Sequence, residues 1–293
     1  MRILHLDSGR EMRGGQWQAL RLHEGLAAAG HDSLLLARAD SPLFALARER
    51  GAAVQALRPL RLAQQSRSFD LVHAHDARSH TLGALFARAP LVVSRRVAFA
   101  VRDGALSRWK YRRPALFLAV SHFVARQLHD AGVDERKIAV VYDGVPVPAQ
   151  TALGDEILIP FTDDPAKGMD LALAEAKRAG VTARVTRNLS ADLPTARALV
   201  YLSQSEGLGS GILLAMAHGV TVIASNTGGV PELIEDGVNG ILVANEAGAV
   251  ATAFPRIGQQ LGDAARLTVM RRFTVAHMLT GTVEAYERVL ANA

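Results

Sequence analysis

The residues in this chain best suited to hold a phosphorylated sugar begin at Glu206, continue through Gly207-Leu208-Gly209-Ser210-Gly211, and are joined further on by Gly228-Gly229. Glycines at 207, 209 and 211 reach backbone angles closed to residues with a β-carbon. The amides of Ser210 to Leu213 are then expected at a helix start, where unpaired N–H groups and the helix dipole favour an anion. Glu206, just ahead of the turn, offers a carboxylate to sugar hydroxyls. Asn226-Thr227-Gly228-Gly229 forms a second loop, at the end of a strand over Thr221 to Ala224. Both loops point to one crevice that binds phosphate and sugar.

The elements that must position these groups are legible around them. In the first half, short apolar runs alternate with helical patterns, the mark of a parallel sheet covered on both faces. Strands are predicted at Arg2 to Leu6, Ser33 to Ala37, Ala53 to Ala56, Leu71 to Ala74, Leu91 to Ser94, Leu116 to Val120 and Ile138 to Tyr142. Between them a helix from Gln16 carries Leu20, His23/Glu24, Ala27 and Ala28 on one side and stops at Gly30, and another is capped by Ser121 and ended by Gly132. Pro146 and Pro148 suit an extended connector, so the domain boundary is placed at about Pro148, giving domains 1–148 and 149–293. A second alternating half starts at Ile157. The last helix, near 275–290, lines up Val275, Met278/Leu279, Val283, Tyr286 and Leu290 and must bury that face, with the first domain as the candidate surface. An ordinary strand-turn-helix unit would account for the glycines of the second half taken singly.

Taken together, those residues resemble the donor-site signature of the family-four retaining glycosyltransferases, the glycosyl transferases group 1. Glu206 matches the first of two signature glutamates, Ala215-Met216-Ala217-His218-Gly219 the helix end, and Gly228-Gly229-Val230-Pro231-Glu232 the glycine turn. The position of the second glutamate, which in the family holds the nucleotide's ribose, is Leu214. Gly14-Gly15-Gln16 resembles the amino-terminal loop that approaches acceptor and donor phosphates, and 70–77, 119–128 and 137–145 resemble further strands and helices of the first domain. The similarity thins between Gly168 and Leu199, where several tens of residues seen in the family are lacking.

The resemblance implies an α/β fold of GT-B type: two Rossmann-like domains facing each other across a cleft, the second reduced. It implies transfer of a sugar from a nucleotide-sugar donor to a glycan or lipid-linked acceptor with retention, as in cell-envelope polysaccharide or lipopolysaccharide synthesis. In the family an arginine and a lysine grip the donor diphosphate; Lys167 matches the lysine, but Thr162 stands at the arginine position, and a hydroxyl does not replace a bidentate guanidinium. The family histidine that contacts the donor sugar corresponds to Arg96. The implied catalytic set is therefore Glu206, Lys167 and Arg96. The implied donor site adds Gly14, Gly15, His75, Gly207, Leu208, Gly209, Ser210, Gly211, Leu214, Gly228 and Gly229. His75 lies at the carboxyl edge of its strand, where doubly wound folds bind ligands, and a structural histidine fits as well. Leu214, Thr162 and the shortened second domain also suit a degenerate protein of this fold that binds a nucleotide or glycan without turnover.

No cofactor and no metal are expected, since Asp163 and Asp164 sit on a turn and suit helix capping better than ligation. The chain has no cysteine, which excludes disulfides and thiolate metal sites and fits a reducing cytoplasm. Neither a signal peptide nor a transmembrane run is expected. Residues 1–150 carry 22 Lys+Arg against 13 Asp+Glu, whereas residues 151–293 carry 11 against 15. The basic half suits an anionic membrane surface or a phosphorylated acceptor, or reflects only a preference for arginine. On Asp103 to Arg113, Trp109, Lys110 and Arg112, together with Arg95 nearby, mark an acceptor or membrane side; the alternative is a helix packed by Trp109 with a solvated basic face. No nucleic-acid-binding signature accompanies these residues.

Overall fold

The computed structural model describes residues 1–101, 103–152 and 154–292. It divides into two compact units, Met1–Tyr142 with Val275–Ala293, and Asp143–Thr274. The first unit is a seven-stranded parallel sheet: β1 (Arg2–Asp7), β2 (Asp32–Ala37), β3 (Val54–Ala56), β4 (Leu71–Ala74), β5 (Leu91–Arg95), β6 (Leu116–Ala119) and β7 (Ile138–Val140). Their spatial order is β3-β2-β1-β4-β5-β6-β7. The chain therefore reverses direction across the sheet between β1 and β4, and the carboxyl ends of those two strands mark the switch point at which doubly wound sheets bind ligands.

The second unit repeats the device with five parallel strands, β8 (Glu156–Pro160), β9 (Arg184–Thr186), β10 (Ala196–Tyr201), β11 (Thr221–Ser225) and β12 (Ile241–Val243), ordered β12-β11-β10-β8-β9. Its switch point lies between β8 and β10. Near-continuous apolar runs fill both sheets because helices cover both faces. Ile157, Ile159, Val200, Ile223 and Phe254 belong to the core of the second unit.

The division falls at Tyr142/Asp143 rather than Pro148, because the connector is hydrogen-bonded into the second unit. Val145 donates to the Phe273 carbonyl at 3.0 Å, and Arg266 donates to the Pro148 carbonyl at 2.6 Å. The helix Val275–Ala291 then returns to the first unit, where Met278, Ala285, Tyr286 and Val289 pack with Ile3, Leu22, Leu26 and Leu71. Tyr286 is fully buried, and its hydroxyl meets His73 Nδ1 at 2.6 Å. The other nitrogen of His73 meets Ser94 Oγ at 2.8 Å, so this core histidine has both nitrogens satisfied.

Tyr286→Phe leaves His73 Nδ1 buried without that partner, a change that costs about 1–3 kcal/mol. Urea unfolding of the two chains should separate their midpoints accordingly, and equal midpoints would remove the bond from the account of how the last helix is held.

Candidate functional site

In the second unit, Glu206 lies on the turn that follows β10, and Lys167 ends a short 3-10 turn that follows β8. The two strands flank the switch point, so the side chains meet: Lys167 Nζ is 2.7 Å from Glu206 Oε2. Tyr201, the last residue of β10, donates from its hydroxyl to the same oxygen at 3.2 Å. Burial and the neighbouring carboxylate push the Tyr201 hydroxyl pKa well up, which keeps it a neutral donor. The Glu206 side chain is only 15% exposed, and a carboxylate so placed is costly unless paired.

Behind this pair lies the Gly228 turn. The Glu206 carbonyl accepts from the Gly229 amide at 3.0 Å, and Gly228 adopts φ +57°. A β-carbon on Gly228 would come within 2.0 Å of the Glu206 carbonyl oxygen. Gly209, at φ +108°, is the N-cap of the helix Ser210–Ala217. The Leu213 amide already donates to the Gly209 carbonyl at 3.0 Å, so the expected anion cradle of Ser210 to Leu213 shortens by one residue. The amides of Ser210, Gly211 and Ile212 are the ones an intrahelical bond cannot reach. Leu208 is buried and offers the turn backbone rather than side chain, while Leu214 is half-buried on the helix. Asp164 caps the 3-10 turn through the Ala166 amide at 3.0 Å, the role its position indicates.

In the first unit, β1 and β4 deliver their carboxyl ends to the switch point. Asp7 ends β1, and its carboxylate accepts from the Gly9 amide at 2.8 Å and from Gln16 Nε2 at 3.1 Å. Burial, with Asp76 nearby, raises its pKa to about 6. The helix Gly14–Ala28 starts immediately after this loop, so Gly14 and Gly15 sit at its first turn. A β-carbon on Gly15 would stand 4.0 Å from Arg96 Cδ, which brings the glycine loop and Arg96 together.

His75 is buried, at 4% exposure, and its contact toward the end of β5 is with Arg96. Arg96 Nη1 lies 3.4 Å from His75 Nδ1, and His75 Nε2 lies 2.9 Å from His5 Nδ1. A guanidinium only donates, so His75 Nδ1 accepts and its Nε2–H donates to His5, whose own Nε2–H has no partner among the described residues. His5, His73 and His75 are close enough to suggest a metal cluster. All of their nitrogens except His5 Nε2 are instead engaged by one another, by Arg96, by Tyr286 and by Ser94, so a cation bound by all three histidines would have to break some of those bonds.

Arg95, expected on the acceptor or membrane side, is turned inward. It is buried as the last residue of β5, donating to the Tyr111 hydroxyl and the Phe99 carbonyl, each at 2.6 Å. Tyr111 is thereby the anchor of the helix Ala105–Arg112, and the expectation that Trp109 packs this helix fails, since no residue of the helix is buried and Trp109 is 38% exposed. Lys110 donates to the Ala77 carbonyl at 2.7 Å, and Arg112 is exposed. An open cavity of about 700 Å³ is lined by Arg95, Phe99, Leu106, Trp109, Lys110 and Tyr111.

Sequence reasoning passed over Tyr201, Asp7, His5 and His73. The signal for Tyr201 was its place at the end of a strand just before Glu206. For Asp7 it was a charge ending an apolar strand.

Two consequences are measurable. Gly228→Ala must displace the Glu206 backbone, so it should abolish ligand binding in the second unit and lower stability by more than about 1 kcal/mol; full binding by this variant would contradict the close approach. The second concerns acid. Burial pushes the pKa values of His5, His73 and His75 well down, so all three are neutral when folded and titrate near 6.5 only when unfolded. Their contribution is complete above about pH 6.5 and is lost as pH falls below it, because the unfolded chain takes up protons that the folded one does not. Asp7, raised to about 6, acts in the opposite sense, the folded chain taking up a proton there as pH falls, but it is one group against three. Urea midpoints at pH 7.5, 6.5 and 5.5 should therefore fall steeply on acidification; a flat profile would contradict the neutral cluster.

The Glycosyltransferase Family 4 model matches residues 12–147, and the Glycosyl transferases group 1 model matches residues 157–260. Among curated proteins, alpha-maltose-1-phosphate synthase of Mycolicibacterium smegmatis is 34% identical over 119 residues, covering 36% of this chain and 31% of that protein. The Mycobacterium tuberculosis protein of the same name is 32% identical over 112 residues, covering 34% and 29%. The chain thus aligns with less than a third of the length of these relatives. Among solved structures, Anabaena Alr3699/HepE in complex with UDP superposes with a TM-score of 0.83 at 19% identity, over 98% of this chain and 100% of that one. The lipopolysaccharide outer core galactosyltransferase WaaB, in its apo form, gives 0.71 at 14% identity over 97% and 99%. These likenesses show the GT-B fold, and the two matched segments identify the chain as a member of the family 4, group 1 glycosyltransferases.

Proposed function

We propose that the chain transfers a sugar from a nucleotide-sugar donor to a glycan or lipid-linked acceptor, with retention of anomeric configuration. The observation that carries this reading is the Lys167–Glu206 pair beside the first turn of the helix Ser210–Ala217. The donor diphosphate would lie on the Ser210, Gly211 and Ile212 amides with Lys167 beside it, and Glu206 would accept from sugar hydroxyls. Charge developing on the departing diphosphate is stabilised there by preorganised donors. No metal is needed in this scheme, because Glu206 is taken up by Lys167 and Tyr201 and Asp164 by its cap.

Solved structures of Anabaena Alr3699/HepE with UDP and with UDP-glucose support a nucleotide-sugar donor. The likeness to WaaB supports a role in lipopolysaccharide or related envelope polysaccharide synthesis. The acceptor is assigned to the first unit, near Gly14, Gly15 and Arg96. No helix among the described residues is long and apolar enough to cross a membrane. A peripheral position on the inner face of the cytoplasmic membrane is supported by Leu106, 76% exposed, and Trp109 on a helix that also carries Arg108, Lys110 and Arg112.

Thermal unfolding with UDP, ADP, GDP and their sugar conjugates tests the donor. One nucleotide class should raise the midpoint, and Lys167→Ala should weaken it roughly tenfold or more. Glu206→Ala should depress turnover more than nucleotide binding. No shift with any nucleotide in the folded chain would favour the non-catalytic reading that Leu214 and Thr162 suggest. On the membrane side, the chain should sediment with phosphatidylglycerol vesicles at low salt, and Leu106→Asp with Trp109→Ala should release it. Sedimentation unaffected by those changes would move the contact elsewhere.

A further inference from the structure

We infer that Arg187 supplies the second cation for the donor diphosphate, in place of the guanidinium that Thr162 lacks; this rests on the nucleotide-sugar reading above. The need for such a cation is electrostatic. Lys167 is held 2.7 Å from Glu206, so the two side chains together bring no net charge to a ligand that carries at least two negative charges. Helix amides contribute partial charge only.

Arg187 follows β9, the strand paired with β8, and Phe161 follows β8 immediately. The Phe161 amide donates to the Thr186 carbonyl at 2.7 Å, which locks the two strand ends side by side. The Arg187 guanidinium carbon then stacks 3.3 Å from the centre of the Phe161 ring, one residue from Thr162. A ring face fixes the plane of a guanidinium and leaves its edge N–H groups free for an anion. Among the described residues no carboxylate pairs with Arg187, whereas Arg184, three residues earlier, is tied to Glu156 and Asp192.

The loop that carries Arg187 also borders the phosphate cradle. A β-carbon on Gly211 would meet Leu189 Cδ2 at 3.4 Å and Tyr201 Cε2 at 3.0 Å. Leu189, two residues from Arg187, therefore packs beside the first turn of the helix Ser210–Ala217 and beside the tyrosine that holds Glu206. Arg187 is exposed, so its replacement leaves the core untouched.

Calorimetric titration of the full chain tests the assignment. The diphosphate that binds among UDP, ADP and GDP is compared with its monophosphate and its nucleoside, in the unaltered chain and in Arg187→Ala, Arg187→Lys and Lys167→Ala. Arg187→Ala should weaken the diphosphate roughly 10- to 100-fold and leave the nucleoside unchanged. Arg187→Lys should recover only part of the loss, since an ammonium neither forks nor stacks in the same way. Equal loss for diphosphate and nucleoside would overturn the assignment, because the cation would then stack on the base. Unchanged diphosphate binding in Arg187→Ala, with loss in Lys167→Ala, would overturn it too while leaving the nucleotide reading intact. An unaltered chain that binds none of the three diphosphates would sink both.

Discussion

The ion pair between Lys167 and Glu206 sets the terms for the second unit. A carboxylate largely withdrawn from water needs its charge answered; two strand ends are arranged to answer it, and a third holds the backbone that carries it. The turn after β8 brings Lys167, β10 ends in Tyr201, and the turn after β11 presents the Gly229 amide to the Glu206 backbone carbonyl. A one-residue slip of β10 would turn Tyr201 to the opposite face of the sheet. The parallel register of β8, β10 and β11 is thus the condition under which Glu206 is held in one place. A fixed carboxylate discriminates among sugar hydroxyls, whereas one free to rotate would accept from many.

The first unit solves a different electrostatic problem. Its surface is rich in arginine, yet the residues beneath the switch point are neutral imidazoles whose pKa values burial drives down. A protonated histidine at 75 would repel the Arg96 guanidinium, and a neutral one accepts from it. The low pKa is therefore not incidental to the site. It lets a buried residue orient Arg96 without adding a second positive charge. Asp7 on the adjacent strand end, with a pKa near 6, moderates that charge in a way that depends on pH close to neutrality.

The parallel sheets, the order of elements and the glycine turns were legible in the sequence because each follows from local rules. Apolar runs between helices mark buried parallel strands, and the predicted span Leu71–Ala74 is the observed β4. Ser121 accepts from the Val124 amide as a cap should. Glu206 stood out because glycines surround it. What stayed hidden were pairings across long sequence separations. Nothing local says that Tyr286 will hydrogen-bond His73, that Arg95 will turn inward to Tyr111 rather than outward, or that Phe161 will carry the guanidinium of Arg187. An isolated arginine beside an arginine looks the same whichever one is buried. The strand register decides, and that is a property of the whole sheet.

The two departures at Thr162 and Leu214 bear on different parts of a donor. In the proposed reading, Leu214 removes a hydrogen-bond acceptor from the ribose and puts an apolar surface on the same helix as the phosphate cradle. A site that hydrogen-bonds a hydroxyl rejects analogues lacking it by large factors, while an apolar wall separates ligands by only about 1–3 kcal/mol. Recognition of the nucleoside would therefore be loose, and affinity would rest on the diphosphate and the sugar. That places more weight on backbone amides, which no side-chain substitution removes, and on the cations beside them. The same reasoning explains why the glycines matter more here than the missing glutamate. Gly209 and Gly228 hold backbone angles that create the amide cradle and the seat of Glu206, so the part of the site least open to replacement is the part this chain retains.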